Sequence, residues 1–287
     1  MNKLPLAKRV LILTALAEGN SMRSTSRMAG VSMNTVVKLL IDAGYACARY
    51  QHDKMKNLAC ARVQVDEIWS FCYSKQKNVP ADRKGEFGYG DVWTFVGIDA
   101  ETKLVPCWLV GERDWCYATM FVKVLASRLT NRIQLTTDGH KMYLSAVPNV
   151  YGNQIDYAIL TKMYEVLGGQ RRHPETRYSP GECCGTDVTI VSGNPEPEHI
   201  STSYIERQNL TMRMRMRRFT RLTNAFSKKL ENLEHAVALY FMHYNFIRVH
   251  QTLRKTPAMA AGIADHPWTV EDLIAMMERL ESAVNSN

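Results

Sequence analysis

The chain has 287 residues, 46% of them hydrophobic, and a formal net charge of +8 at neutral pH. That apolar content supports a packed core and excludes a disordered chain. No run approaches the roughly 18 apolar residues needed to cross a bilayer, so no membrane association is expected.

The seven cysteines are odd in number and include no C-x-x-C pair. This argues against a disulfide framework and against a zinc ribbon. Buried thiols in a reducing, cytoplasmic compartment are the expectation, and the N-terminus lacks a leader cleavage site. The positive charge lies in two blocks. Residues 1–60 carry a net +6 and residues 201–229 a net +7, leaving −5 for the remainder. Two separate phosphate-contacting surfaces would look like this, because each neutralised phosphate releases condensed counterions.

Residues 7–18 read as a helix. A short helix around 24–29, a turn at Gly30-Val31 and a second helix from about Met33 to Ala43 follow, with Ser32 placed as N-cap. This is the pattern of a helix-turn-helix, with Met33, Asn34, Thr35 and Lys38 on the exposed face of its second helix. A generic helical hairpin is the alternative, and the +6 charge favours DNA binding. The domain is expected over residues 1–50, with a polar linker over 51–60.

From residue 61 the periodicity changes. Val63 and Val65 alternate with Gln64 and Asp66, as a half-buried strand requires. Two more strands, joined by the turn "DAETK", precede an amphipathic helix over 114–131. "RIQLTTDGH" is a strand ending at Asp138, "KMYLSAV" a short helix, and "QIDYAILTKMYEV" a further strand. The Gly/Pro-rich segment 168–199 is the least regular, with one strand-like core at "TDVTIVS". Helices over about 201–229 and 227–253, and a C-terminal helix within 263–287, complete the chain. This order predicts an α/β fold, a ribonuclease-H-like mixed sheet with flanking helices over 61–262, preceded by the small all-α helix-turn-helix domain.

Three acids stand out by position: Asp66 in the first strand, Asp138 at the end of the fourth, and Glu206 near the start of a helix. First and fourth strands are neighbours in such a sheet, so the three carboxylates can meet. Hard cations such as Mg²⁺ favour oxygen clusters of this kind. Two ions about 3.5–4 Å apart would clamp the attacking and leaving oxygens of a phosphoryl transfer. The rivals are Glu67, Asp91, Asp99, Asp156 and Asp187. A regular strand would point Glu67 away from Asp66, and Asp99 sits at a turn that favours Asp for backbone reasons.

At 100° per residue, Ile205, Asn209, Met212, Met216 and Phe219 form one stripe, expected to pack on the sheet. Glu206, Leu210, Arg213 and Arg217 form the adjoining face. Arg207, Arg218 and Arg221 add to the candidate DNA track, since guanidinium groups suit bidentate phosphate contact. A solvated face is the plain alternative. Eight bases with no acid from Arg207 to Lys229 count against it, because like charges at i,i+4 repel.

The segments "VQVDEIWSF", "LTTDGHKMY" and "STSYIERQNLTMRMRMRRFTRLTNAFSKK", with the tail "YNFIRVHQTLRKTPAMAAGI", resemble bacterial insertion-sequence transposases of the DDE class. The resemblance is to the group named after the first-numbered insertion sequence, and it spans Gln64 to about Gly262. It implies Asp66, Asp138 and Glu206 as the catalytic metal-binding triad, with Mg²⁺ or Mn²⁺. It also implies double-stranded DNA as partner, both terminal inverted repeats and target, and a homodimer or larger synaptic assembly. The implied chemistry is hydrolysis of 3′ ends followed by attack of the freed 3′-OH on target DNA. Members of that group often carry an N-terminal zinc element; none is visible here, and no zinc is predicted. The 68-residue gap from Asp138 to Glu206 is long, and an insertion near 168–199 accounts for it. His140, Lys141, Arg248 and His250 are candidates for DNA or leaving-group contacts, or for packing. Two other readings stay open: a decayed or domesticated DNA-binding repressor, and a ribonuclease-H-like nuclease that cuts without joining.

Overall fold

Three helices open the chain: α1 (Leu6–Ala17), α2 (Met22–Ala29) and α3 (Met33–Lys54). The computed structural model describes residues 3–164, 183–220 and 224–285. Ser21 and Ser32 cap α2 and α3, each hydroxyl accepting an amide proton at 3.1 Å, from Ser24 and Thr35. Gly30 ends α2 with φ +60°, a left-handed conformation that glycine adopts without steric cost. The glycine turn and the cap at Ser32 therefore stand where the sequence placed them, and Ser21 adds a second cap.

Helix α3 does not stop near Ala43. It continues to Lys54, so the stretch expected to be a polar linker begins inside a helix. Packing explains the extension: Ala43, Gly44, Ala46, Cys47 and Gln51 form a buried stripe on its C-terminal half. A Cβ on Gly44 would overlap the backbone and Cβ of His235, so only glycine permits this close approach to the later helix.

Strand β1 (Arg62–Cys72) pairs antiparallel with β2 (Gly90–Asp99), and β2 with β3 (Cys107–Gly111). Helix α4 (Trp115–Arg128) follows, its N-cap Asp114 accepting from the Tyr117 amide at 2.8 Å. Strand β4 (Gln134–Thr137), helix α5 (Tyr143–Tyr151) and strand β5 (Asp156–Tyr164) come next. Both strands run parallel to β1. Strand β6 (Cys183–Ser192) returns antiparallel along β5. The six-stranded sheet has the order β3-β2-β1-β4-β5-β6. Three antiparallel strands, extended on the β1 side by parallel strands entered through helices, make a ribonuclease-H-like fold. Of the expected insertion, residues 168–182 lie outside the described residues; the rest supplies β6 and the approach to the next helix.

Helices α6 (Ser203–Arg215), α7 (Leu230–Met242), α8 (Pro257–Ala260) and α9 (Val270–Asn285) complete the structure. Gln64 faces α6, while Val65 and Gly97 face Phe121 and Leu125 of α4, so the sheet is covered on both sides. The helix expected over 227–253 is shorter. After α7 one π-helical turn, His243–Ile247, leads to extended backbone at Arg248. The side chain of Asn245 explains what that turn does. Its Oδ1 accepts from the Val105 amide and its Nδ2 donates to the Val105 carbonyl, both at 3.0 Å, and to Gln51 Oε1 at 3.3 Å. Gln51 in turn donates to the Ala238 carbonyl at 3.2 Å. Helix α3, the loop between β2 and β3, and α7 are thereby joined through one buried amide pair. Among the described residues, no helix is long and apolar enough to cross a membrane.

Candidate active site

The register of the parallel strands sets the site. Val65 pairs with Thr137, and Thr137 with Ile159. Asp66 follows in β1, which runs on to Cys72, and Asp138 follows directly after the carboxyl end of β4, where α/β sheets commonly bind ligands. Beyond Thr137 strand β4 has ended, so β1 continues with an open flank, and a cavity of about 590 Å³ lies there. Asp66, Asp138, Glu206, Arg113, Asn209 and Lys162 are among its lining residues.

Helix α6 is fastened to the sheet by side chains that sequence reading overlooked. Its N-cap, Thr202, makes no side-chain capping bond. The acceptor comes from β1 instead: Gln64 Oε1 receives the amides of Tyr204 and Ile205, at 2.9 and 3.1 Å. One turn past Glu206, Asn209 Nδ2 donates to Asp66 Oδ2 at 2.8 Å. Asn209 is buried and its Oδ1 has no hydrogen-bond partner. The apolar stripe falls as expected, with Ile205, Asn209, Met212, Met216 and Phe219 all buried. The signal for the two amides was their place in the pattern: polar Gln64 sits on Asp66's face of the strand, and Asn209 lies within an otherwise apolar stripe.

Glu67 corrects the regular-strand expectation. It leaves β1 on the face of Tyr143, yet Asp66, Glu67 and Asp138 offer carboxylate oxygens that all lie within 4.8 Å of one another. Among the described residues, no strand covers the β4-side flank of β1 beyond Thr137, and the Asp66 and Glu67 carboxylates reach the same point past that flank. The Glu67 side chain is fully buried and paired with Arg113 at 3.2 Å, and that guanidinium lies over the Trp93 ring at 4.4 Å. Glu67 Oε1 and the Tyr143 hydroxyl sit close together, but neither has a partner in hydrogen-bonding geometry.

Burial, and then the charge of Asp138, raise the Asp66 carboxyl to about 6 against the donors Glu67 N–H and Asn209. Burial is also the main cause for Glu67, raised to about 7, with Tyr143 and Arg113 opposing and Asp138 and Asp66 adding to it. Three carboxyls crowded at a partly dry site are short of positive charge. A cation would relieve this, and an all-oxygen donor set fits a hard divalent ion.

Glu206 lines the same cavity but stands outside the 4.8 Å group. Its Oε2 is paired with Lys162 Nζ at 2.5 Å and its Oε1 accepts from Thr202 Oγ1 at 2.7 Å. Of the acids weighed against the three, Asp99 holds its turn through Thr102, at 2.8 Å from the amide and 2.6 Å from the hydroxyl. Asp156 pairs with Arg132. Neither they nor Asp91 and Asp187 line this cavity.

The basic residues divide. Arg213 lines the cavity, and Arg207 and Arg217 are exposed. Helix α6 ends at Arg215, so Arg217 and Arg218 lie on a separate 3₁₀ turn rather than on one continuous helix. Arg218 turns inward and donates to Ser227 Oγ at 2.8 Å, and burial lowers its pKa, which removes it from an outward-facing track. Arg221 lies outside the described residues. His140 lines the cavity, its amide donating to Asp138 Oδ1 at 3.1 Å, while Lys141 is exposed and does not line it. His250 and Arg248 lie elsewhere, His250 bridging backbone to Lys255. On α3, Met33, Asn34 and Lys38 are exposed and Thr35 is half-buried.

No family model matches the sequence. No curated protein matches it either. Solved structures with some likeness include the Mos1 mariner paired end complex with Mn, at 12% identity and a TM-score of 0.33, covering 100% of this chain and 80% of that one. A pre-cleavage Mos1 transpososome gives 11% and 0.34, with the same coverage. The piggyBac transposase synaptic complex with hairpin DNA gives 11% and 0.41, covering 98% of this chain and 75% of that one. Likenesses this weak leave the functional reading to the site's own geometry.

Proposed function

We propose that this chain is a DNA transposase that binds the ends of its element, hydrolyses their 3′ ends and joins them to target DNA. One observation carries the reading: Asp66 and Asp138, from adjacent parallel strands, and Glu206, from the helix packed on them, open onto one cavity with Arg213 on its wall. In this reading Asp66 and Asp138, with Glu206, hold Mg²⁺ or Mn²⁺. When bound, the ion supplies Lewis-acid stabilisation of charge at the phosphorus oxygens. Asn209 fixes the rotamer of Asp66, and Glu67 anchors Arg113 at the cavity wall. Arg207, Arg213 and Arg217 hold the phosphate backbone near the carboxylates, and Met33, Asn34, Thr35 and Lys38 meet the DNA through a helix-turn-helix. Two ends must be processed together, so the working form is a dimer or larger assembly. The copy-or-cut pathway and the group named after the first-numbered insertion sequence are finer points of the same proposal.

The test incubates the chain with a labelled duplex carrying an element end, a target plasmid and Mg²⁺ or Mn²⁺. Joined product is expected. Cleavage without joining would indicate a nuclease, and a shifted but intact duplex a DNA-binding repressor. Glu206→Gln and Asp138→Asn should each abolish joining while leaving duplex binding in place. Full strand transfer by Glu206→Gln would remove Glu206 from the assignment.

A further inference from the structure

Among the described residues, Lys162 is the one lysine that lines the cavity, and it is drawn to Glu206. Its strand runs past β4: Ile159 pairs with Thr137, so Lys162 stands three residues beyond the last parallel pair, at the level where the carboxylates gather. Its ammonium lies 2.5 Å from Glu206 Oε2, while Thr202 serves the other oxygen. Both Glu206 oxygens thus face protein donors, and the carboxylate is held apart from Asp66, Glu67 and Asp138. The pair is partly exposed, with side-chain accessibilities of 28% for Lys162 and 43% for Glu206, so it can open without unfolding.

We infer that Lys162 is an internal counter-ion that occupies Glu206 until a divalent cation takes its place. The exchange completes the carboxylate set and frees an ammonium at the cavity wall. The inference rests on the metal-dependent reading above. Lys162 acts here as a positioning residue, through Glu206. An ammonium and a divalent ion compete for the same oxygens, so the lysine lowers metal affinity and keeps the cluster from gathering before metal arrives. The neighbouring Thr202 hydroxyl remains, since it donates to Oε1 and carries no charge.

Two measurements on the full chain test this, both with Mn²⁺ alone as probe. In calorimetric titration, Lys162→Met should bind Mn²⁺ about fivefold more tightly than wild type, the scale expected when a part-exposed ion pair no longer has to be broken. In amine acetylation read by mass spectrometry, saturating Mn²⁺ should raise the labelling of Lys162 relative to the other lysines. Unchanged Mn²⁺ affinity in Lys162→Met overturns the inference. So does tighter binding with unchanged Lys162 labelling, since that pattern is a long-range charge effect without exchange. If wild type and Lys162→Met both fail to bind Mn²⁺ at all, the metal-dependent reading falls and this inference with it. Binding that is indifferent to Lys162 overturns the inference alone.

Discussion

Replacing Gln64 by Leu, close to it in volume, tests whether β1 positions the helix that carries Glu206. Gln64 is 3% exposed, and its Oε1 receives two amides of α6 that no local cap serves. Ile205 is fully buried, so its amide would lose its partner without water to replace it. A buried donor left unsatisfied costs about 1–3 kcal/mol, and loss of a helix cap about 0.5–2 kcal/mol. Together the substitution should cost about 3 kcal/mol. For a chain of this size that lowers Tm by about 6 °C, at about 2 °C per kcal/mol. Stability alone does not prove positioning, so a control of similar cost is needed. Leu125→Ala, in α4 on the other side of the sheet, removes a fully buried side chain at about 2–5 kcal/mol. Thermal unfolding by circular dichroism reads the cost, and Mn²⁺ titration at 20 °C reads the site. Both variants should lose Tm, but only Gln64→Leu should weaken Mn²⁺ binding. Equal Mn²⁺ affinities in the two variants, or a wild-type Tm for Gln64→Leu, would refute the argument.

Asp66 should destabilise the metal-free chain. Its folded-state pKa of about 6 lies above the ordinary aspartate value of 3.8, so its contribution is lost as pH rises from 3.8 through about 6. Asp66→Asn at pH 7 without metal should therefore raise stability by about 1–2 kcal/mol after one hydrogen bond is lost, seen as a higher Tm in chelator. Added Mn²⁺ should stabilise wild type more than the variant. His243 works with the opposite slope: burial lowers its pKa to about 4, so the unfolded chain takes up its proton first as pH falls below 6.5. Stability should decline by about 3 kcal/mol between pH 6.5 and 4, and His243→Gln should flatten that decline in pH-resolved denaturant melts. Arg207→Ala and Arg217→Ala should each lower the slope of log affinity for duplex DNA against log salt by about 0.9. Arg218→Ala should leave that slope unchanged and lower Tm, because its guanidinium holds Ser227.

The periodicity of the sequence was enough to place every strand of the sheet and the buried stripe of α6, since alternation and 3.6-residue spacing are local properties. The end of β4, within one residue of Asp138, and the cap at Ser32 were legible for the same reason. The length of α3 was not. Its last turns are polar in composition, and they are helical because one face packs on α7 through Gly44 and because Gln51 finds Asn245 across 194 residues of chain.

The site divides along the same line. Asp66, Asp138 and Glu206 could be picked out by position, but their partners depend on which strands end where. Strand β4 stops one residue before Asp138, and that early end lets Glu67 reach the cluster from the far face of β1. Lys162, Gln64 and Asn209 gain their roles only from residues 44, 140 and 143 positions away. No local pattern encodes contacts at that separation. Sequence alone named the acids and the basic blocks. Tertiary structure decided which side chains hold the acids, which arginines face outward, and that a lysine rather than a second carboxylate stands against Glu206.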